Sequence, residues 1–159
     1  MNCCHYYQFI PGNEQVFSAD VTRVRYGCGV LKELGQEARA LGIKRAAVYT
    51  DSRIRSSPLF EEAVAALRAE GIEAVIYDEV RVEPTDTSFK EAAQFAKSSA
   101  FDGFISIGGG SVIDTVKAAN LYSSCEGDFM DYVNAPIGRG LVAPGPLRPH
   151  LACPTTAGT

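Results

Sequence analysis

A chain of 159 residues, 46% hydrophobic and 21% charged, has the make-up of one ordinary globular domain, which excludes a disordered or fibrous polymer. Its formal net charge is −4, with no Lys/Arg cluster and no basic stripe interleaved with aromatics, so a nucleic-acid partner is disfavoured on electrostatic grounds and none is expected. The longest apolar runs are a few residues, as at Ala46-Ala47-Val48-Tyr49, against the roughly 20 that a spanning helix needs, so no membrane partner and a soluble chain are expected.

Residues 1–18 are expected to form a tail. They are neither basic nor followed by a long apolar stretch with a small-residue cleavage site, and they lack the Arg-rich pattern of a transit peptide. Cys3, Cys4 and His5 stand together there but lack a fourth ligand and a rigid frame. Five cysteines, an odd count without C-x-x-C, suit reduced thiols of a cytoplasmic compartment, or of a mitochondrion if the source is eukaryotic.

Residues 19–159 read as one α/β domain. A first strand is expected at 21–26, then a helix through Val30, Leu31, Leu34, Ala38 and Leu41 that Gly42 closes. The next strand is 46–50, ending at Asp51-Ser52. After the start signal Ser56-Ser57-Pro58 comes a helix with Leu59, Ala63, Ala66 and Leu67 inward and Gly71 at its end. Residues 73–77 form a strand, Glu83-Pro84-Thr85-Asp86 breaks the chain, and a helix carries Phe89, Ala92, Ala93 and Ala96. A buried strand at 104–107 runs into Gly108-Gly109-Gly110-Ser111 and a helix over 112–122 with Val112, Ile113, Val116 and Ala119 inward. A Gly/Pro-rich loop leads to a last strand near 150–153. Short β-rich runs alternating with helices are the signature of a parallel sheet covered on both faces.

The strand–glycine–helix junction at Gly108 to Ser111 suits an anion, because the first amides of a helix lack partners and face outward where the helix dipole favours negative charge. Glycines let a pyrophosphate approach the backbone, and Gly109, Gly110 and Ser111 are the best candidates. The competing structural reading is a tight packing turn with Ser111 and Asp114 in an S-x-x-D capping box; both can hold together. Lys117 is placed to pair with Asp114 or to lean toward phosphate. Asp51, at a strand end, can accept hydrogen bonds from ribose hydroxyls and repel a 2′-phosphate, or it is an ordinary cap. Thr155, Thr156 and Thr159 with Gly158 follow the last strand, where open α/β sheets bind ligands, or are a frayed end.

The run Gly108-Gly109-Gly110-Ser111-Val112-Ile113-Asp114-Thr115-Val116-Lys117 resembles the G-G-G-S-x-x-D-x-x-K motif of iron-containing alcohol dehydrogenases, and Pro154-Thr155-Thr156-Ala157-Gly158-Thr159 resembles the P-T-T-[AS]-G-T run beside it. The stretches 81–89 and 131–138 are similar to the hydroxyacid-oxoacid transhydrogenase branch of that family. The resemblance covers 21–159 and implies a Rossmann-like, doubly wound, mostly parallel sheet that holds NAD. It assigns Asp51 to the adenosine ribose, Pro84 and Thr85 to the adenine side, and Gly109, Gly110 and Ser111 with Asp114 to the pyrophosphate turn. Thr155 and Thr156 go to the phosphate and nicotinamide-ribose side.

In the family an all-helical domain follows, with an aspartate and three histidines that bind divalent iron or zinc. His5 and His150, the two histidines here, match none of those positions. The expectation is therefore a nucleotide-binding part that is inactive by itself, belonging to an oxidoreductase that acts on a small alcohol or hydroxyacid and forms a homo-oligomer when full length. A plain NAD-linked alcohol dehydrogenase, a stand-alone nucleotide-binding module and a lyase of the dehydroquinate synthase type stay open as alternatives.

Overall fold

Short runs of Ala, Val, Ile and Tyr build the sheet in the computed structural model, which describes residues 22–157. The strands are β1 (Arg45–Tyr49), β2 (Glu73–Tyr77), β3 (Gly103–Gly108) and β4 (His150–Pro154), in the order β2-β1-β3-β4. All neighbours are parallel, with Tyr49 opposite Tyr77 and Ser106, and Gly108 opposite Pro154. Every residue of β3 is buried, as a continuous apolar run requires when both faces of a parallel strand are covered. The edge strands β2 and β4 are less buried.

One face is covered by a 3-10 turn (Val30–Glu33), helix α1 (Leu34–Ala40) and, after the four-residue α2 (Ser52–Arg55), helix α3 (Pro58–Ala69). Leu34, Ala38, Phe60, Ala63, Val64 and Leu67 pack there on Val48, Ile105 and Ile107. On the other face α4 (Asp86–Lys97) and α5 (Gly110–Ser124) lay Ala92, Ala96, Val112, Val116 and Ala119 against Ala47, Tyr49 and Phe104. The start signals act as expected: Ser57 caps α3 ahead of Pro58, and Thr85 and Ser88 form a reciprocal box on α4. Gly42 and Gly71 end α1 and α3 with φ of 78° and 73°, a region costly to any other residue.

Several expectations are corrected. Residues 22–26 form no strand and are exposed; Arg23 and Arg25 pair instead with Glu37 and Glu33 at the start of α1. Leu59 points outward, 41% exposed, and Phe60 takes the core position, because Phe60, Ala63, Val64 and Leu67 form the i, i+3, i+4, i+7 stripe that faces the sheet. In α5, Thr115 and Asn120 are buried and Ile113 only half-buried. The tail expected at 1–18, with Cys3, Cys4 and His5, lies outside the described residues, as do Gly158 and Thr159. Cys28, Cys125 and Cys153 are free thiols, and no described helix is long and apolar enough to cross a membrane.

Candidate functional site

β1 and β3 are neighbours, yet the helices that follow them cover opposite faces of the sheet. Their C-terminal ends therefore part into a crevice, the place where open α/β sheets receive ligands. Asp51 and the glycine turn form its two lips. Thr50 fixes the first: fully buried, it donates its amide to Tyr77 O at 2.9 Å and its hydroxyl to Ile107 O at 2.8 Å, tying β1 to both neighbours. Nothing in the sequence marks Thr50 apart from its place at a strand end. Asp51 Oδ1 then accepts from the amides of Arg53 and Ile54, at 2.9 Å each, as the cap of α2. Among the described residues its Oδ2 has no partner, so the cap reading holds and leaves one carboxylate oxygen uncommitted at the end of β1.

On the other lip Gly108 sits so close to α5 that a Cβ would lie 2.4 Å from Val112 Cγ2. Gly109 is the N-cap of α5, extended at φ −77° and ψ −171°, and no side chain caps this end. Among the described residues the amides of Gly110 and Ser111 have no acceptor, and a Cβ on Gly110 would meet nothing within 4 Å. The S-x-x-D capping box does not form. The helix starts at Gly110, which puts Ser111 inside the first turn; its hydroxyl donates to Val82 O. Asp114 is exposed and takes Lys117 Nζ at 3.4 Å, the pairing that its spacing allows.

β4 closes the turn from the side. The Thr155 amide donates to Gly108 O at 2.9 Å, and Thr156 lies against Gly109, where an added Cβ would meet its Cγ2 at 3.3 Å. Gly109, Gly110, Ser111, Thr155 and Thr156 are thus brought together. Pro84, half-buried, lies two residues from the Val82 carbonyl that Ser111 holds, while the Thr85 hydroxyl accepts the Ser88 amide at 3.2 Å as the cap of α4. Val82 was not among the sequence candidates; its part is played by a backbone carbonyl, which no residue type signals.

Below the turn, on β4, His150 Nε2 and Ser106 Oγ are 2.9 Å apart. Burial, reinforced by the charge of Lys117, pushes the His150 pKa down to about 4, and burial pushes the Cys153 thiol up to about 11. Neither is an exposed base or a thiolate. Among the described residues no three His, Cys, Asp or Glu side chains gather to hold a metal. The donor set does not fit iron or zinc; it fits an anion held by backbone amides.

A doubly wound parallel sheet with an open-ended glycine turn at its switch point defines the class, an α/β domain of the kind that takes a phosphorylated ligand at a helix N-terminus. Residues 21–159 match the family model described as iron-containing alcohol dehydrogenase, and the chain belongs to that family. It is 48% identical over 163 residues to the mitochondrial hydroxyacid-oxoacid transhydrogenase of Bos taurus, an alignment that covers 98% of this chain and 35% of that protein. It is similar to the crystal structure of a 1,3-propanediol oxidoreductase, with 31% identity and a TM-score of 0.74 over 84% of this chain and 34% of the other. Its fold is that of the NADH-dependent butanol dehydrogenase A of Thermotoga maritima, with 24% identity and a TM-score of 0.81 over 92% and 36%. The chain spans about a third of the length of these relatives (35% for the first).

Proposed function

We propose that this chain is the NAD-holding part of a metal-dependent alcohol dehydrogenase acting as a hydroxyacid-oxoacid transhydrogenase. The observation that carries the reading is the pair of unpartnered amides at Gly110 and Ser111, opening into the crevice beside Thr156. These amides and the α5 dipole bind the diphosphate. Thr155 and Thr156 line the phosphate on its nicotinamide side. Asp51 Oδ2 accepts from the adenosine ribose and repels a 2′-phosphate, and Pro84 and Thr85 border the adenine. Asp114, paired with Lys117, stands one turn behind. Bound NAD supplies a hydride acceptor at its nicotinamide C4; the residues of this chain bind and orient it. The similarity to the Bos taurus hydroxyacid-oxoacid transhydrogenase supports a hydroxyacid and an oxoacid as the pair between which the hydride passes; 4-hydroxybutyrate and 2-oxoglutarate, with the nucleotide retained, are the pair that the resemblance of 81–89 and 131–138 implies. It also favours the mitochondrial alternative for location, and a homo-oligomer remains part of the reading.

Calorimetry on the full chain tests the nucleotide assignment. NAD binds and NADP binds about tenfold or more weakly, a difference of about 1.4 kcal/mol; Asp51→Asn narrows that gap. The reading is lost if NAD does not bind, or if Asp51→Asn leaves the preference untouched. In the full-length enzyme, reduction of 2-oxoglutarate by 4-hydroxybutyrate without added nucleotide separates the transhydrogenase from an alcohol dehydrogenase that releases NADH.

A further inference from the structure

The segment between β2 and α4 approaches the glycine turn with little to hold it. Val80 is buried at one end and Thr85 caps α4 at the other. Between them Arg81, Val82 and Glu83 are exposed, Val82 by 79%. Arg81 reaches Glu91 only at 4.0 Å across solvent, a contact of little energetic weight. Among the described residues, the one hydrogen bond made by residues 81–84 is that from Ser111 Oγ to Val82 O.

A serine hydroxyl carries a single donor proton. The diphosphate of a dinucleotide, ionised at neutral pH, offers only acceptors, so it and the Val82 carbonyl compete for that one proton. The Ser111 amide faces no such competition, since it has no acceptor in the fold. From this we infer that Ser111 divides its two donors: its amide serves the phosphate, and its hydroxyl is a strap that holds the 81–84 segment, and with it Pro84, at the adenine side of the crevice. The inference rests on the nucleotide reading above and makes Ser111 a positioning residue for the base. One residue at the start of α5 thereby couples the phosphate and adenine ends of the site.

Two measurements on the full chain test it, using Ser111→Ala and the hydroxyl-retaining Ser111→Thr. The first needs no nucleotide: trypsin cuts after exposed Arg81, next to the strapped carbonyl, and cutting tracks how often the segment opens. Ser111→Ala accelerates cleavage of the Arg81–Val82 bond by about three- to tenfold, the ratio that one net hydrogen bond sets, and Ser111→Thr restores the slow rate. The second compares adenosine with ADP by calorimetry: Ser111→Ala weakens both by the same factor. Loss confined to ADP makes the hydroxyl a phosphate ligand and overturns the strap, as does an unchanged cleavage rate. Failure of the unsubstituted chain to bind either ligand overturns the nucleotide reading itself, together with the inference built on it.

Discussion

A methyl group added at Gly108 would lie 2.4 Å from Val112 Cγ2, whereas one added at Gly110 would meet nothing within 4 Å. The adjacent glycines thus answer to different demands, one to packing and one to the space in front of the helix. Gly108→Ala is expected to lower stability by about 1–3 kcal/mol through overpacking, read as a lower urea midpoint. Gly110→Ala leaves stability unchanged or raises it by up to about 1 kcal/mol, since Ala is the better helix residue. On the proposed nucleotide reading its methyl stands where the diphosphate arrives, and NAD affinity is expected to drop by about tenfold or more, about 1.4 kcal/mol in calorimetry. Equal stability losses in the two variants would contradict this division. The glycine run and its helix were legible because three glycines after a buried strand admit few other readings. The partner of the Ser111 hydroxyl was not, because Val82 lies 29 residues earlier and acts through its main chain. Thr50 escaped notice for a related reason: a threonine at a strand end looks the same whether or not its hydroxyl bridges two strands.

At the scale of elements, α5 is joined to β4 at both ends. Near its N-terminus the link is Thr155 to Gly108 and Thr156 against Gly109. Near its C-terminus Asn120, 3% exposed, grips the main chain of Arg148, donating Nδ2 to its carbonyl at 2.8 Å and accepting its amide at 3.3 Å. Asn120→Ala strips both partners from a half-buried peptide just before β4 and is expected to cost about 2 kcal/mol, measured by denaturant unfolding. Asn120→Asp keeps the volume and the acceptor but sets a carboxylate oxygen against the Arg148 carbonyl, and costs at least as much; a loss confined to Asn120→Ala would show that side-chain volume rather than hydrogen bonding matters there. Helix starts were legible wherever a small polar residue preceded the run, as at Ser57 and Thr85. Residues 22–26 misled because alternation of apolar and polar side chains suggests a strand without naming the strand it would pair with. Asn120 gave no signal, since an asparagine on the inner face of a helix departs from the apolar pattern and reveals nothing of the loop it holds.

Across the whole molecule, the alternation of strand and helix was sufficient for the fold class. The order β2-β1-β3-β4 follows from pairings between strands distant in sequence, which periodicity does not encode. The same pairings bury His150 beside Ser106 and Lys117, and so tie global stability to pH. With its folded pKa near 4 and an ordinary value of 6.5, the imidazole is neutral in the fold but protonated in the unfolded chain between those limits. Stability therefore falls as pH drops through that window, by about 1–2 kcal/mol once partial exposure is discounted. His150→Gln flattens this acid limb in urea titrations at pH 7.5 and 4.5; an unchanged difference would assign the loss to the carboxylates instead.

The pairing of β3 with β4 also imposes a schedule on synthesis. The glycine turn leaves the ribosome well before Thr155 and Thr156, the residues that flank it. A nascent chain paused in between carries the turn without its wall, so on the proposed reading, in which Thr155 and Thr156 flank the diphosphate, the dinucleotide site is first complete when the fourth strand has emerged.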